Sequence, residues 1–247
     1  MHTTANGVVM WHDAHGDGDP IVLLHGGFSD SREFTGSLDR LPFRVHVLDR
    51  RGHGRTPDVP GPVTGADLAD DVVAFLEEVV GGPAHLLGYS AGGVVALDVA
   101  ARRPDLVRRL VVLSSASSGA GWLFLPEPGG ELPAVMADRY AEVSPDGRDH
   151  LQVVVDKFAR AAHEPREVDL AAITARTLVI AADDDIVHLE HQLALYRGIA
   201  DAQLAIVPGT SHLLLFERPA LVGTLVEEFL TADPTPLMPI RRAGGTP

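Results

Sequence analysis

The stretch Gly88-Tyr89-Ser90-Ala91-Gly92 matches the pattern G-x-S-x-G and decides the fold. It follows the apolar run His85-Leu86-Leu87, which predicts a buried strand, and it opens a predicted helix over 91–102. A strand, a tight turn and a helix in this order are typical of a nucleophile elbow, in which a strained turn lifts a serine hydroxyl off the end of a sheet. The alternative is a glycine-rich turn with an incidental serine.

Strands and helices alternate on both sides of this turn. Short apolar runs predict buried strands at 21–24, 45–48, 85–87, 110–113, 177–180 and 204–207. Helical patterns follow or separate them at 31–41, 64–80, 91–102, 189–199 and 219–230. Residues 7–11 predict an edge strand, and the polar stretch 12–20 predicts a turn-rich loop. The alternation predicts an α/β fold with a mostly parallel central sheet and helices on both faces.

The alternation stops between about 117 and 172, where prolines and glycines break the chain into short pieces. Helices are predicted only at 136–142 and 151–162. This segment is too short and too broken for a domain of its own, and it predicts a small helical lid on a single domain spanning 1–231. Residues 232–247 contain four prolines and two glycines, a composition that predicts a flexible tail.

Composition excludes several classes of function. The 247 residues include no cysteine, which excludes a thiolate nucleophile, disulfides and cysteine-ligated metal centres. The 20 basic and 34 acidic residues give a net charge of −14, which argues against nucleic acid and anionic membranes as partners. We find no leader pattern and no apolar run near the roughly 20 residues that span a bilayer, and we expect a cytoplasmic protein.

A serine needs a neighbouring base to act as a nucleophile, and the sequence offers one in the expected place. His212 follows the last predicted strand, on a loop that can fold back over the carboxyl end of the sheet. The acidic run Asp183-Asp184-Asp185 follows the strand predicted at 177–180. The order Ser, Asp, His is the order that G-x-S-x-G enzymes use. Any of the three aspartates could supply the acid.

The same edge of the sheet offers donors for a developing oxyanion. His25-Gly26-Gly27-Phe28 follows the first buried strand, where the matching loop of such enzymes supplies one backbone N–H. The second donor is expected to be the amide of Ala91, next to the serine. The alternative for the two glycines is tight-turn geometry alone.

Together these motifs resemble the α/β-hydrolase superfamily, specifically its small members with a lid after the sixth strand. The resemblance covers about residues 7–231 and rests on four motifs, His25–Phe28, Asp49–Thr56, Gly88–Gly92 and Gly209–Pro219. It implies that Gly27 holds the oxyanion position and that Asp185 is the acid. Ala182 stands where the family usually has glycine, so Asp183 and Asp184 stay open. The 49–56 loop is structural in this family, which implies that His53 and Arg55 are not catalytic.

Five residues are candidates for the substrate pocket, namely Phe28, Tyr89, Trp122, Phe124 and Leu213. Packing of the lid on the core explains the lid aromatics equally well. The histidines and acidic residues of 12–20 lack the spacing of known metal sites. His188 and His191 stand three residues apart at a predicted helix start and could in principle share a metal, but this position favours solvated or capping roles. We therefore expect no metal and no organic cofactor.

The expected reaction is hydrolysis of a carboxylic ester, thioester, lactone or related acyl compound through an acyl-enzyme. Ser90 is the expected nucleophile, His212 the base and Asp185 the group that orients the base. Three alternatives remain: a lyase or perhydrolase on the same triad, a ligand-binding receptor of the same fold, and a metal-dependent hydrolase. The expected partner is a small acyl substrate, and the expected state is a monomer or homodimer.

Overall fold

The computed structural model describes residues 1–238, and within them an eight-stranded sheet forms the centre of the fold. The strand order is β1-β2-β4-β3-β5-β6-β7-β8. The strands are β1 His2–Ala5, β2 Val8–His15, β3 Pro20–Leu24, β4 Arg44–Leu48, β5 Ala84–Tyr89, β6 Val107–Leu113, β7 Arg176–Asp184 and β8 Ala202–Ser211. The pairs β1–β2 and β2–β4 are antiparallel, and all pairs from β4 to β8 are parallel.

Seven α-helices accompany the sheet in the described part of the chain. They are α1 Gly65–Phe75, α2 Ala91–Arg102, α3 Ala134–Ala141, α4 Leu151–His163, α5 Leu189–Gly198, α6 Leu214–Glu217 and α7 Pro219–Thr231. Thr64 caps α1 in a reciprocal pair with Asp67, and a π-helical turn at Leu76–Val80 continues α1 toward Gly81. The predicted mostly parallel sheet with helices on both faces is confirmed.

The sheet is apolar on both faces because both are covered. Side chains alternate along β3, so Val22 and Leu24 belong to the buried cluster that includes side chains of α1, α2 and α5, while Ile21 and Leu23 belong to the cluster that includes side chains of α7. All four side chains are fully buried. This arrangement explains why the central strands are continuous apolar runs, and it brings their carboxyl ends together at one edge.

Two local predictions need correction, and one strand was missed. The predicted helix at 31–41 is instead two short 3₁₀ turns, Ser31–Phe34 and Leu38–Arg40, separated by Gly36 at φ +81°. The predicted loop at 12–20 is a continuation of β2 up to His15, because this segment pairs with β4. The strand β1 was not predicted.

The chain between β6 and β7, residues 114–175, is called the insert here. Its two helices, α3 and α4, pack around Tyr140 and Val154 and reach Phe28 on the loop after β3. On α4, Lys157 donates to Asp58 over 2.6 Å. The insert therefore lies against the loops at the carboxyl edge of the sheet.

The predicted tail is described only in part, because its residues 239–247 lie outside the described residues. Residues 232–238 form no helix or strand, yet Asp233 binds Arg109 at 3.0 Å and Arg176 at 2.5 Å. The beginning of the tail is thus tied to the sheet. Across residues 1–238, we find no helix that is both long and apolar enough to cross a membrane.

Candidate active site

Ser90 occupies a strained turn between β5 and α2. Its backbone has φ +53° and ψ −122°, a conformation that L-residues rarely adopt. The flanking glycines make the turn possible. A Cβ at Gly88 would overlap the Gly92 carbonyl, and one at Gly92 would overlap the Leu24 carbonyl. The turn therefore brings the serine out at the carboxyl edge of the sheet, as predicted for a nucleophile elbow.

Ser90, His212 and Asp185 form one hydrogen-bonded chain. The Ser90 Oγ lies 2.9 Å from His212 Nε2, and His212 Nδ1 lies 2.7 Å from Asp185 Oδ1. Burial acts to raise the pKa of Asp185, but the hydrogen bond from His212 holds this pKa below its usual value. The ionised Asp185 accepts the Nδ1 hydrogen, which leaves Nε2 as the acceptor for the serine hydroxyl.

The structure separates the three consecutive aspartates. Asp185 alone among them contacts His212, and its side chain is only 2% exposed. Asp183 accepts the backbone N–H of Thr210 at 3.0 Å instead, and Asp184 is exposed. Of the alternatives that the sequence left open, Asp185 is the one in the position of a triad acid.

The loop that carries His212 is fixed by residues that sequence reasoning assigned elsewhere or missed. Tyr89 was predicted to line the pocket, but it is buried beneath the loop. Its hydroxyl donates to the His212 carbonyl at 2.7 Å, and its ring stacks on the imidazole at 5.5 Å. Glu217, six residues after Ser211, accepts from the N–H and hydroxyl of Ser211. Both contacts hold the imidazole in place.

Two backbone amides near the serine have no hydrogen-bond partner among the described residues. Neither the Gly27 N–H nor the Ala91 N–H has a hydrogen-bond acceptor within residues 1–238. A Cβ at Gly27 would lie 3.5 Å from the Ala91 Cβ, so the two segments are in contact. This is the arrangement of two free donors that an oxyanion hole requires.

A cavity of about 510 Å³ opens onto Ser90 and His212. Its walls are mainly apolar and come from α2, from the loop after β3 and from the insert. Three of the predicted pocket residues line it, namely Phe28, Trp122 and Phe124. Leu213 was also predicted to line it and does not, since its side chain is 53% exposed on the surface.

A few polar side chains reach the cavity. His53 is fully buried, and burial lowers its pKa to about 3, so it is neutral near pH 7. Its Nδ1 donates to the Arg51 carbonyl at 2.9 Å. Arg166 lies at the other end and contacts Asp98 at 2.6 Å. The described residues contain no cluster of three or more His, Asp or Glu that could hold a metal ion.

A serine elbow on a parallel sheet, with histidine and aspartate at the same edge, defines the class of α/β hydrolases. The sequence model of the Alpha/beta hydrolase family matches residues 21–223, and the chain belongs to this family of enzymes.

Two curated relatives match over nearly their whole length. "Putative carbamate hydrolase RutD" of Variovorax paradoxus (strain S110) is 30% identical, over 92% of this chain and 98% of the relative. The protein of that name from Agrobacterium fabrum is 28% identical, over 92% of this chain and 100% of the relative.

Solved structures agree with the fold. The enol-lactonase from Burkholderia xenovorans LB400 superposes with a TM-score of 0.78 at 23% identity, covering 94% of this chain and all of the other. Est816, described as an N-acyl homoserine lactone degrading enzyme, superposes with a TM-score of 0.72 at 26% identity, covering 93% and 100%.

Proposed function

We propose that this protein is a serine hydrolase that cleaves carboxylic esters, thioesters, lactones or related acyl compounds through an acyl-enzyme. The observation that carries the proposal is the chain from Ser90 through His212 to Asp185, with distances of 2.9 and 2.7 Å. Hydrogen bonds of this length are short enough for proton transfer between the serine and the imidazole.

In the first half-reaction the Ser90 oxygen attacks the substrate carbonyl while its proton passes to His212 Nε2. The carbonyl oxygen becomes negatively charged and accepts hydrogen bonds from the Gly27 and Ala91 amides. Asp185 stabilises the imidazolium. His212 then gives the proton to the leaving oxygen, sulfur or nitrogen, and the acyl group stays on Ser90.

In the second half-reaction water attacks the acyl-enzyme and passes its proton to His212. The bond between the acyl carbon and the Ser90 oxygen breaks, and the serine regains its hydrogen from the imidazolium. One water is consumed, and the released acid carries its oxygen. Removal of one oxyanion donor typically costs about 10²–10³ in rate, so these amides carry a large share of the catalysis.

The cavity supports an apolar acyl group of moderate size as the substrate class. Its volume of about 510 Å³ lies in the range of small-molecule sites, and its walls are mainly apolar. The net charge of −14 disfavours highly anionic substrates. Two relatives or neighbours bear the names carbamate hydrolase and enol-lactonase, and both names denote attack on a carbonyl carbon. Carbamates and lactones therefore belong among the candidates.

The test is a substrate panel of p-nitrophenyl esters from acetyl to palmitoyl, an aryl carbamate and an N-acyl lactone, assayed in H₂¹⁸O. We expect hydrolysis with a preference for short or medium acyl chains and one ¹⁸O in the acid product. Ser90→Ala should abolish the activity. Products without ¹⁸O would indicate lyase or perhydrolase chemistry, and tight binding without turnover would indicate a receptor.

A matched pair of variants tests the pocket. Trp122→Ala removes a cavity wall, and it should raise KM for p-nitrophenyl butyrate about fivefold or more, since a buried apolar contact of this kind contributes about 1–3 kcal/mol. Leu213→Ala trims an exposed side chain on the same edge and should leave KM unchanged. Equal effects of the two substitutions would show that the substrate does not occupy this cavity.

A further inference from the structure

The loop after β3 is anchored on both sides of Gly26 by buried polar side chains. On one side, Glu33 Oε1 accepts the Gly26 N–H at 2.7 Å. On the other, the Gly26 carbonyl accepts from His25 Nδ1 at 2.8 Å and from Arg50 Nη2 at 3.0 Å. His25 Nε2 accepts the Arg50 backbone N–H, so the hydrogen of its ring sits on Nδ1. Both peptide groups that flank Gly26 are therefore fixed.

The anchoring determines where the next amide points. In a planar trans peptide the N–H of Gly27 points opposite to the carbonyl of Gly26. That carbonyl is held on the buried side by His25 and Arg50, which leaves the Gly27 N–H on the other side. The elbow lies close to this segment, since a Cβ at Gly26 would stand 3.5 Å from the Ser90 Cβ and one at Gly27 would stand 3.5 Å from the Ala91 Cβ. We call Glu33, His25 and Arg50 the Gly26 clamp. By fixing Gly26, this clamp sets the direction of the Gly27 N–H, one of the two oxyanion donors.

The buried environment of the Gly26 clamp disfavours the charged forms of Glu33 and Arg50. Burial raises the pKa of Glu33 to about 7 and lowers the pKa of Arg50 to about 10. Burial of ionisable groups is a poor way to gain stability, because their loss of hydration offsets much of what their contacts contribute. Perturbed ionisable groups of this kind cluster at functional sites. Glu33 does not line the cavity, so it acts on the protein and not on the substrate.

We propose that Glu33 is a positioning residue for the oxyanion hole: it holds the Gly26 amide so that the Gly27 N–H is aimed at the reacting oxygen. His25 and Arg50 complete the clamp from the carbonyl side. The inference rests on the proposed function, since it assigns a role within the same site. According to this inference, Glu33 must be long enough for its oxygen to accept the Gly26 N–H, whereas the negative charge of the carboxylate matters less.

Two substitutions distinguish the length of the Glu33 side chain from its charge. Glu33→Gln keeps the length and an oxygen that can accept the Gly26 N–H, so we expect kcat for p-nitrophenyl butyrate within about threefold of wild type. Glu33→Asp keeps the charge but is one methylene shorter, so the contact is lost. We expect kcat to fall about 10–100-fold with KM within about twofold, because the donor acts on the transition state only.

A second readout distinguishes positioning from general damage. A trifluoromethyl ketone forms a tetrahedral adduct with the serine, and its Ki should rise in Glu33→Asp by the same factor as kcat/KM falls. The control is Asp71→Asn, which alters the buried ion pair with Arg51 at 2.6 Å without touching Gly26. This control should keep the wild-type kcat.

Wild-type kcat in Glu33→Asp, or a larger loss in Glu33→Gln than in Glu33→Asp, would overturn the inference. If Glu33→Asp does not fold, Glu33→Met takes its place, because methionine keeps the length of the side chain but offers no oxygen that can accept the Gly26 N–H. The same fall in kcat is then expected, and full kcat would overturn the inference. A wild-type protein that hydrolyses no acyl substrate would instead refute the proposed function.

Discussion

At the scale of single residues, the composition of the candidate triad depends on which of three aspartate side chains points toward His212. Ser90 and His212 could be predicted from the sequence, because each follows a strand and the chain order matches a known constellation. The acid could not be chosen among three consecutive aspartates. The pairing of β7 with β8 shifts register between Ala182 and Asp184, directly before Asp185, and a sequence pattern does not predict such an irregularity.

Substitutions of the three aspartates should therefore have unequal effects. Asp185→Asn leaves the geometry but favours the wrong imidazole tautomer, and we expect kcat to fall about 10⁴-fold. Asp183→Asn and Asp184→Asn should change kcat by less than about tenfold, because neither side chain contacts His212. Steady-state kinetics on a p-nitrophenyl ester measure this order. A greater loss in Asp183→Asn than in Asp185→Asn would contradict the assignment.

The pocket residues show where reasoning at this scale stops. Tyr89 and Leu213, both predicted to line the pocket, stand next to Ser90 and His212 in the sequence, yet neither lines the cavity. Tyr89 is the last residue of β5, and its side chain points into the core below the loop of His212. Leu213 caps the short helix α6 and faces solvent. Side-chain direction at a strand end depends on tertiary packing that the sequence pattern does not contain.

At the scale of elements, spacing alone is ambiguous in short segments. Phe34 and Leu38 stand four residues apart, which predicts one helix, and both are fully buried. The backbone instead turns at Gly36, whose positive φ breaks the segment into two 3₁₀ turns. The long helices and the parallel strands were predictable because their patterns run over more residues.

The elbow should tolerate no side chain at its second glycine. Gly92→Ala places a Cβ on the Leu24 carbonyl, and we expect a loss of about 4 kcal/mol or more in the free energy of unfolding. Gly223→Ala is the matched control, because nothing lies within 4 Å of its added Cβ in helix α7. That control should gain up to about 1 kcal/mol from helix propensity. Chemical denaturation measures both, and equal stabilities would refute the account of the turn.

The insert is joined to the sheet edge by a small buried ionic cluster around Asp58. Asp58 Oδ2 accepts from Lys157 Nζ at 2.6 Å and from His150 Nε2 at 2.9 Å. Burial acts to raise the pKa of Asp58, but these two hydrogen bonds hold it below its usual value. The cluster links the start of the insert helix α4 to the loop that follows Gly52.

Loss of this charge should loosen the insert. Asp58→Asn should lower the free energy of unfolding by about 1–3 kcal/mol and speed hydrogen exchange in α4, with β5 unaffected. Asp70→Asn removes an exposed pair with Arg102 and should cost at most about 0.5 kcal/mol. Exchange mass spectrometry and thermal melts provide the readouts. Unchanged exchange in α4 would show that the cluster does not hold the insert.

At the scale of the whole molecule, several histidines are buried in their neutral form. Burial lowers the pKa of His85 to about 4 and of His53 to about 3, and it lowers the pKa of His25 as well. These histidines become protonated near pH 6.5 in the unfolded chain but only at lower pH in the folded protein. Above pH 6.5 these histidines do not lower the free energy of unfolding. As the pH falls from 6.5 toward their pKa values in the folded state, the free energy of unfolding decreases.

His85 isolates this effect because it lies far from the candidate triad, packed edge-on against Phe43 on the sheet. His85→Leu removes the group that resists protonation. The stability of the variant relative to wild type should therefore rise by about 1–2 kcal/mol between pH 7 and pH 4.5. Urea denaturation at the two pH values measures it. A difference that does not change with pH would contradict the buried neutral state.

The cavity is formed by distant parts of the chain, and its shape could not be predicted from the sequence. Its walls come from the loop after β3, from helix α2 and from the insert, which lie far apart in the chain. Phe28, Trp122 and Phe124 could be proposed as lining residues because they are aromatic and stand in the loop after the first buried strand or in the predicted lid. Their meeting over Ser90 depends on how the insert packs, which no local pattern specifies.

The central claim is that Ser90 is an activated nucleophile, and covalent labelling tests it most directly. A fluorophosphonate should modify one residue, Ser90, as located by peptide mass mapping, and Ser90→Ala should take up no label. His212→Gln should slow labelling by about 10³-fold or more, because the serine then lacks its base. An unlabelled Ser90, or full ester hydrolysis by Ser90→Ala, would contradict the account.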